Sequence, residues 1–395
     1  MRKNDFPIFS NNPDLIYLDT AASAQKPQVV LDKMMEIMTT YYANVHRGTY
    51  PISEKITTSF EQARQTVADF IRARAKDIIF VRGATEGINL VAQTLGRTLN
   101  KGDEVLISEA EHHANLVPWQ LLVRQKGIVL KYIHVDEAGL LDMDDFKSKL
   151  SEKTKLVSVT HMSNVLGSTF PVKEISRLAH EQGAKVLIDG CQAIAHLSVE
   201  VADIGCDFYA FSGHKIYGPT GIGVLYAKAE IMNGLDPWQC GGDMIKTVSY
   251  EKTQFADTPA RFEAGTPAIV EAIALATAIK YVEKIGYPTL IENDKLLLEQ
   301  LISGLNEMGN VQYLGDVAYK SGLVAFNIKG MHPQDISMIL GEQNVAIRVG
   351  HHCAQPITEK FGVTASLRVS FGLYNDKEDV EGFLKALQKA KRLLV

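Results

Sequence analysis

The chain has 395 residues, 46% hydrophobic and 22% charged, with 41 Lys and Arg against 46 Asp and Glu, for a formal charge of −5. That length accommodates two domains with real cores, and the near-balanced charge without a basic block argues against nucleic acid as the primary partner. Cys191, Cys206, Cys240 and Cys353 lie far apart with no CxxC pair, no run reaches the roughly 18 apolar residues of a membrane span, and the start MRKNDFPIFSNNPDLIYLD lacks a secretory pattern, so a reducing, cytoplasmic setting without membrane association is expected.

In chain order, EVLISEA predicts a strand ending near Ser108, ANLVPWQLLVRQKG a helix and IVLKYIHV the next strand. KLVSVTHMSNVLG is a strand running into a polar loop, VKEISRLAHEQG a helix and AKVLIDG a strand. CDFYAFSGHK and GIGVLYAK add two short strands. Strands alternate with helices, and several strands are continuously apolar, the pattern of a largely parallel sheet covered on both faces. The pattern changes after about Tyr250. SYEKTQFADTPARFEAGTP is polar, turn-rich and too irregular for a central strand. AIVEAIALATAIKYVEKIG and TLIENDKLLLEQLISGLNEMG read as helices, GLVAFNI as a strand, PQDISMILGEQ as a helix, VAIRVG as strand-like and KEDVEGFLKALQKAKRLL as a final helix. These suit a smaller α+β domain.

Ligands in open α/β sheets sit beyond the carboxyl ends of the strands. Asp189 follows one predicted strand, and Ser212, His214 and Lys215 follow another. Ser108 to His113 and Asn164 follow two more. An amine, an acid, a ring and anion donors form the set that pyridoxal 5′-phosphate requires. Lys215 offers the amine for its aldehyde, and Asp189 a partner for the protonated pyridine nitrogen. His113 offers a ring to stack, Gln192 a hydrogen bond to the phenolic oxygen, and Asn164 a contact on the same edge. In RGATEGINLVAQTLG, Gly83, Ala84 and Thr85 precede a helical pattern whose free amides suit a phosphate, with Ser212 and His214 adding donors. The spacing is not a Walker A motif. Taken singly, a surface lysine, a turn-capping aspartate and a helix-capping threonine account for Lys215, Asp189 and Thr85 more readily than cofactor roles do. His112 reads as structural.

Cys353 lies in RVGHHCAQP, where the histidines and Arg348 favour a thiolate able to attack sulfur. Metal binding by His351, His352 and Cys353 competes poorly, because adjacent residues rarely face one tetrahedral ion and no distal cluster matches. No metal site is expected. Cys191 reads as a small core residue. Arg368, in ASLRVSFGLYN, suits a bidentate pair with a carboxylate, and Arg348 suits the cysteine loop or the substrate. An exposed structural ion pair is the alternative for both.

YLDTAASAQKP, NVHRG, RGATEGINLVAQ, EHHANLVPWQ, SNVLGS, IDGCQA, FYAFSGHKIYGPTGIGVLY, RFEAGTP and RVGHHCAQP occur in this order over nearly the whole chain. Together they resemble the SUF- or CSD-type cysteine desulfurases, group II and NifS-like, of the aminotransferase class V family. The resemblance implies the fold type I of pyridoxal-phosphate-dependent transferases, with a mostly parallel seven-stranded sheet and a smaller α+β domain. It implies a large domain over 12–255, a dimer-contact segment with the small domain over 256–395, and residues 1–11 joined to the latter. It implies Lys215 as the aldehyde-linked lysine, Cys353 as the persulfide-forming nucleophile and His113 as the stacking residue. Asp189, Gln192, Thr85, Ser212 and His214 become cofactor contacts, and Arg368 the substrate carboxylate anchor beside Asn164 and Arg348. The implied enzyme is a homodimer in which Thr266 reaches the partner's phosphate site, near His46 and Arg47. It converts L-cysteine to L-alanine and passes the sulfur to a SufE- or CsdE-like acceptor for iron–sulfur cluster assembly. Selenocysteine lyase, cysteine sulfinate desulfination and transamination are rival activities, and a non-enzymatic sulfur or metal carrier is the rival of another class. Three positions depart from the family pattern: Ala84 for a threonine, Val349 in the usual RTGHHCA, and Cys191 where alanine is usual.

Overall fold

The computed structural model describes residues 2–394; Met1 and Val395, the outer ends of the expected divisions, lie outside the described residues. Seven strands build the large sheet: β1 (Ile78–Val81), β2 (Glu104–Ser108), β3 (Val129–Ile133), β4 (Thr154–Thr160), β5 (Lys185–Asp189), β6 (Phe208–Ser212) and β7 (Gly223–Ala227). Their order is β1-β7-β6-β5-β4-β2-β3. Only β7 runs against its neighbours. Every residue of β1, β2, β6 and β7 is buried, which explains their continuous apolar runs.

The two faces separate by the strand period of two. Val105 and Ile107 face a core completed by α3 (Ala84–Thr98) and α4 (Val117–Lys126), while Leu106 faces the opposite core. That second core gathers residues of α1 (Gln28–Thr40), α2 (Pro51–Phe70), α5 (Val172–Glu181) and α6 (Ile269–Ile285). Helix α6, on the C-terminal side of the expected division, lies against α1 and α2.

A second, antiparallel sheet has the order β8 (Val311–Tyr313), β9 (Leu323–Ile328), β11 (Ser366–Ser370), β10 (Arg348–Gly350). Its core takes Leu297, Leu301 and Leu305 from α7 (Tyr287–Met308), Leu340 from α8 (Pro333–Gly341) and Phe383 from α9 (Lys377–Leu393). The expected VAIRVG strand is split. Val345 and Ala346 pair in parallel with Ile16 and Tyr17, and β10 pairs with β11. The irregular stretch near Tyr250 contains a peripheral hairpin, Ile245–Val248 against Thr253–Phe255. The N-terminal segment bridges the two units: Phe6 packs on Tyr217 at 5.9 Å and, with Phe9, on Tyr374 at 4.9 and 5.1 Å between ring centroids, and Lys3 Nζ meets Asp379 at 2.6 Å. Among the described residues no helix is long and apolar enough to cross a membrane.

Gly223, at the start of β7, permits a close backbone approach. A Cβ there would lie 2.5 Å from Gly83 Cα and 2.7 Å from the Phe211 carbonyl oxygen. Gly223→Ala is expected to cost about 1–3 kcal/mol, the usual penalty of overpacking. The loss should appear as a lower urea midpoint together with weaker cofactor binding.

Candidate active site

The carboxyl ends of β4, β5 and β6 open on one cavity of about 170 Å³. Asp189 ends β5 inside it, 5% exposed. Its Oδ1 accepts the Cys191 N–H at 3.0 Å, and its carbonyl accepts the His161 N–H at 2.8 Å. Lys215 ends the short turn Gly213–Lys215 that follows β6, and it reaches the same wall. Gln192 is tied by Nε2 to the Ala21 carbonyl at 3.0 Å, and Asn164 by Nδ2 to the His352 carbonyl at 2.6 Å.

At one end of the cavity, the Ala84 N–H donates to Ser212 Oγ at 2.9 Å and Thr85 lies in the first turn of α3. A 15-residue helix presents its free amides and positive dipole end there. His214 lines the same end and meets Ser23 Oγ through Nδ1 at 3.3 Å. Burial, with Lys215 and Lys26 adding to it, draws His214 down to about 4, so the ring is neutral at physiological pH.

Adjacent histidines exchange their expected places. His112 lines the cavity wall, and His113 is not among the lining residues. The reason is the turn after β2: His112 caps the short helix His113–Asn115 by accepting the Ala114 N–H on Nδ1 at 3.0 Å. That contact leaves the ring proton of neutral His112 on Nε2. Burial draws His112 down to about 4, with Asp189 opposing.

The small sheet supplies the remaining wall. Arg348 on β10 and Arg368 on β11 are directly paired across the strands, and both line the cavity. Like charges placed opposite each other are destabilising unless an anion lies between them. Asp19 meets part of that need, with Oδ1 3.1 Å from Arg368 Nη2. Arg368 Nη1 donates to the Asn164 carbonyl at 3.0 Å, and its buried Nε finds no partner among the described residues. Burial draws Arg368 down to about 10, which leaves it charged at neutral pH. Cys353, half-buried, sits beside this wall with Sγ 3.2 Å from Arg348 Nη2. Cys353 and His352 both have left-handed backbones, φ 58° and 53°.

Thr266 lies apart from the cavity, on a separate surface pocket, with Oγ1 3.5 Å from Asn44 Nδ2. His46 contacts Glu61 at 3.1 Å, and Arg47 contacts Asp243 at 2.7 Å. Sequence reasoning missed Asp19, although an acid directly after the apolar IYL was the available signal. It also missed Glu111, buried beneath the His112 turn. Glu111 accepts from Asn115 Nδ2 at 2.6 Å, from the Thr160 N–H at 2.9 Å and from the Ser108 hydroxyl. Burial pushes Glu111 up to about 8, and these three donors pull the other way.

The donor set fits pyridoxal 5′-phosphate: an amine and a carboxylate lining one cavity, a neutral ring, and a helix start flanked by hydroxyls. The unpartnered Arg368 Nε fits a carboxylate on the substrate side. The aminotransferase class-V family profile matches residues 16–383. The chain belongs to the aminotransferase class-V family. Among its relatives, a cysteine desulfurase of Dickeya dadantii (strain 3937) is 45% identical over 396 residues, covering 99% of this chain and 96% of the relative. Some other curated relatives are longer, and the chain spans 57 to 64% of their length. The apo structure of a cysteine desulfurase from Thermococcus onnurineus NA1 superposes with a TM-score of 0.95 at 38% identity, covering 99% of this chain and 98% of that one. The cysteine desulfurase CsdA (S-sulfonic acid) from Escherichia coli gives a TM-score of 0.93 at 36% identity, covering 100% and 98%. As an aminotransferase class-V enzyme the protein depends on pyridoxal phosphate, and its seven-stranded, mostly parallel sheet is that of fold type I.

The class-V site carries a pH signature. Burial draws His161 to about 4 and His352 to about 2, against 6.5 for an exposed histidine. Below 6.5 the unfolded chain binds protons that these folded rings refuse. Their stability is therefore whole above pH 6.5 and is lost as pH falls, through the window from 6.5 to 4 for His161 and on to about 2 for His352, at about 1.4 kcal/mol per pH unit per histidine. His112 and His214 act in the same sense, while Glu111, raised to about 8, offsets about one of the four. The urea midpoint should fall from pH 7 to pH 5, and a flat midpoint across that range would contradict neutral burial of these rings.

Proposed function

We propose that the protein is a cysteine desulfurase that converts L-cysteine to L-alanine and carries the sulfur as a persulfide on Cys353. The observation that carries this reading is the placement of the Cys353 thiol against Arg348 at the edge of a cavity that also holds Lys215 and Asp189. The relatives named cysteine desulfurase support it.

When bound, pyridoxal 5′-phosphate supplies an aldehyde for an amine and a ring that takes up the electron pair released at the substrate Cα. Lys215 Nζ would hold that aldehyde and then move the Cα proton. Asp189, fixed in place by the Cys191 amide, would hold the proton on the ring nitrogen. His112, rather than His113, would stack on the ring. Gln192 and Asn164 would hold the ring edge, and Thr85, Ser212 and His214 the phosphate. Arg368 would orient the substrate carboxylate through the Nε that has no partner among the described residues, and Arg348 stands beside the attacking sulfur. Cys353 Sγ attacks the substrate sulfur as the carbon–sulfur bond breaks. The thiol plus cysteine become a Cys353 persulfide plus alanine, with no other reactant required.

A SufE- or CsdE-like protein then accepts the sulfur for iron–sulfur cluster assembly. The half-exposed thiol supports an external acceptor. A homodimer is supported by exposed Met35 and Met38 on α1, together with exposed Tyr42, Tyr50 and Ile52 in the stretch that also carries Asn44, which meets Thr266. Thr266 would then complete the partner's phosphate site. Four unpaired cysteines support a reducing, cytoplasmic setting.

Alanine and Cys353 persulfide are to be measured from cofactor-loaded protein and L-cysteine. Cys353→Ala should keep the cofactor absorbance and lose both products; alanine at the wild-type rate would sink the reading. Lys215→Ala should slow alanine formation by about 10²–10⁴-fold, the range for a removed acid–base group. His112→Ala should shift the cofactor absorbance, and an unshifted spectrum would remove His112 from the ring.

A further inference from the structure

His113 stands outside the cavity wall and still touches the cysteine-bearing loop twice. Its backbone N–H donates to the Cys353 carbonyl at 2.7 Å. Its ring Nε2 accepts the Gln355 N–H at 3.1 Å. Gln355 opens the short helix Gln355–Lys360, so its amide has no partner within that helix. The two contacts therefore pin the C-terminal side of Cys353, from its own carbonyl to the amide two residues on, with Ala354 between them.

The other anchors of the loop act elsewhere. Asn164 Nδ2 holds the His352 carbonyl at 2.6 Å, Ser366 Oγ meets His352 Nε2 at 2.9 Å, and the Arg348 guanidinium meets the sulfur. A loop with two consecutive left-handed residues needs its ends held if Sγ is to keep one direction.

We propose that His113 is a positioning residue that latches the C-terminal side of the Cys353 loop, through its amide on the nucleophile's own carbonyl and its ring on the Gln355 amide. The ring acts as an acceptor, so Nε2 is bare and the proton of the neutral imidazole sits on Nδ1. Burial and the neighbouring His351 hold His113 below the ordinary histidine range, in keeping with a neutral ring. The functional meaning of the latch rests on Cys353 being the nucleophile; its existence does not.

The test is amide hydrogen exchange across residues 351–358 of the cofactor-loaded protein, read beside the cofactor absorbance. His113→Ala keeps the backbone contact and removes the ring acceptor. Exchange at Gln355 should rise by about three- to tenfold, the worth of one neutral hydrogen bond. His113→Gln, whose Oε1 can accept from the same amide, should bring exchange back toward the wild-type rate. Neither variant should move the cofactor absorbance. A smaller rise in the alanine variant, no recovery with glutamine, or an absorbance shift like that expected of His112→Ala would overturn the latch. His113→Asn, too short to reach the amide, replaces the alanine variant if that fails to fold. Exchange reports on the loop whether or not alanine is formed, so an inactive wild type would remove the desulfurase reading and leave the latch decided.

Discussion

Arg368 leaves the middle of β11 and divides its two Nη groups between the Asn164 carbonyl, on the large sheet's loop, and Asp19, on the N-terminal segment. Three parts of the chain thus meet at one fully buried guanidinium. Taking an ion out of water costs several kcal/mol, and breaking such a pair by removing one member costs about 3–5 kcal/mol. Burial outweighs the pairing here, since both Arg368 and Asp19 are shifted toward their neutral forms. The arrangement is therefore weak evidence for stability and stronger evidence for placement. Because β10 pairs with β11 at this residue, fixing Arg368 also fixes Arg348 and the loop that follows it.

That loop carries its own strain. His352 and Cys353 hold left-handed backbones, which cost residues other than glycine about 1–3 kcal/mol each when the surroundings impose them. The surroundings are specific: the Asn164 amide on the His352 carbonyl, the Ser366 hydroxyl on its ring, and His113 on the Cys353 carbonyl and the Gln355 amide. Strain held by so many directed contacts belongs to a site that must present one atom in one direction. The atom so presented is Sγ, set against Arg348.

The large sheet was legible because strands buried on both faces must be apolar at every position, as in the VLI before Asp189 and the FYAF before Ser212. Helices α1 and α2 were not read, and the apolar residues that α1 leaves exposed, Val29, Leu31, Met35 and Met38, blur the usual division into a polar and an apolar face. The strand bearing Arg368 was also passed over, since a charge in mid-strand is read as solvent-facing until the sheet it joins is known. The histidine pair was undecidable from sequence. One residue of turn geometry after β2 determines which ring meets the cavity, and neither residue type nor spacing encodes that turn.

The three departures from the family pattern show which positions act through backbone. Ala84 replaces a threonine, yet the contact it makes is the N–H given to Ser212 Oγ. Cys191 replaces an alanine, and what it gives Asp189 is again an N–H. Its own thiol is pushed up to about 12 by burial, so it stays protonated and unreactive beside the cavity. Val349 packs on the small-sheet core between Arg348 and the cysteine loop. At the first two positions the site depends on a peptide group that any residue but proline supplies. At the third it depends on an apolar body. A side chain can vary there while the charges, hydroxyls and sulfur that its neighbours direct into the cavity keep their places.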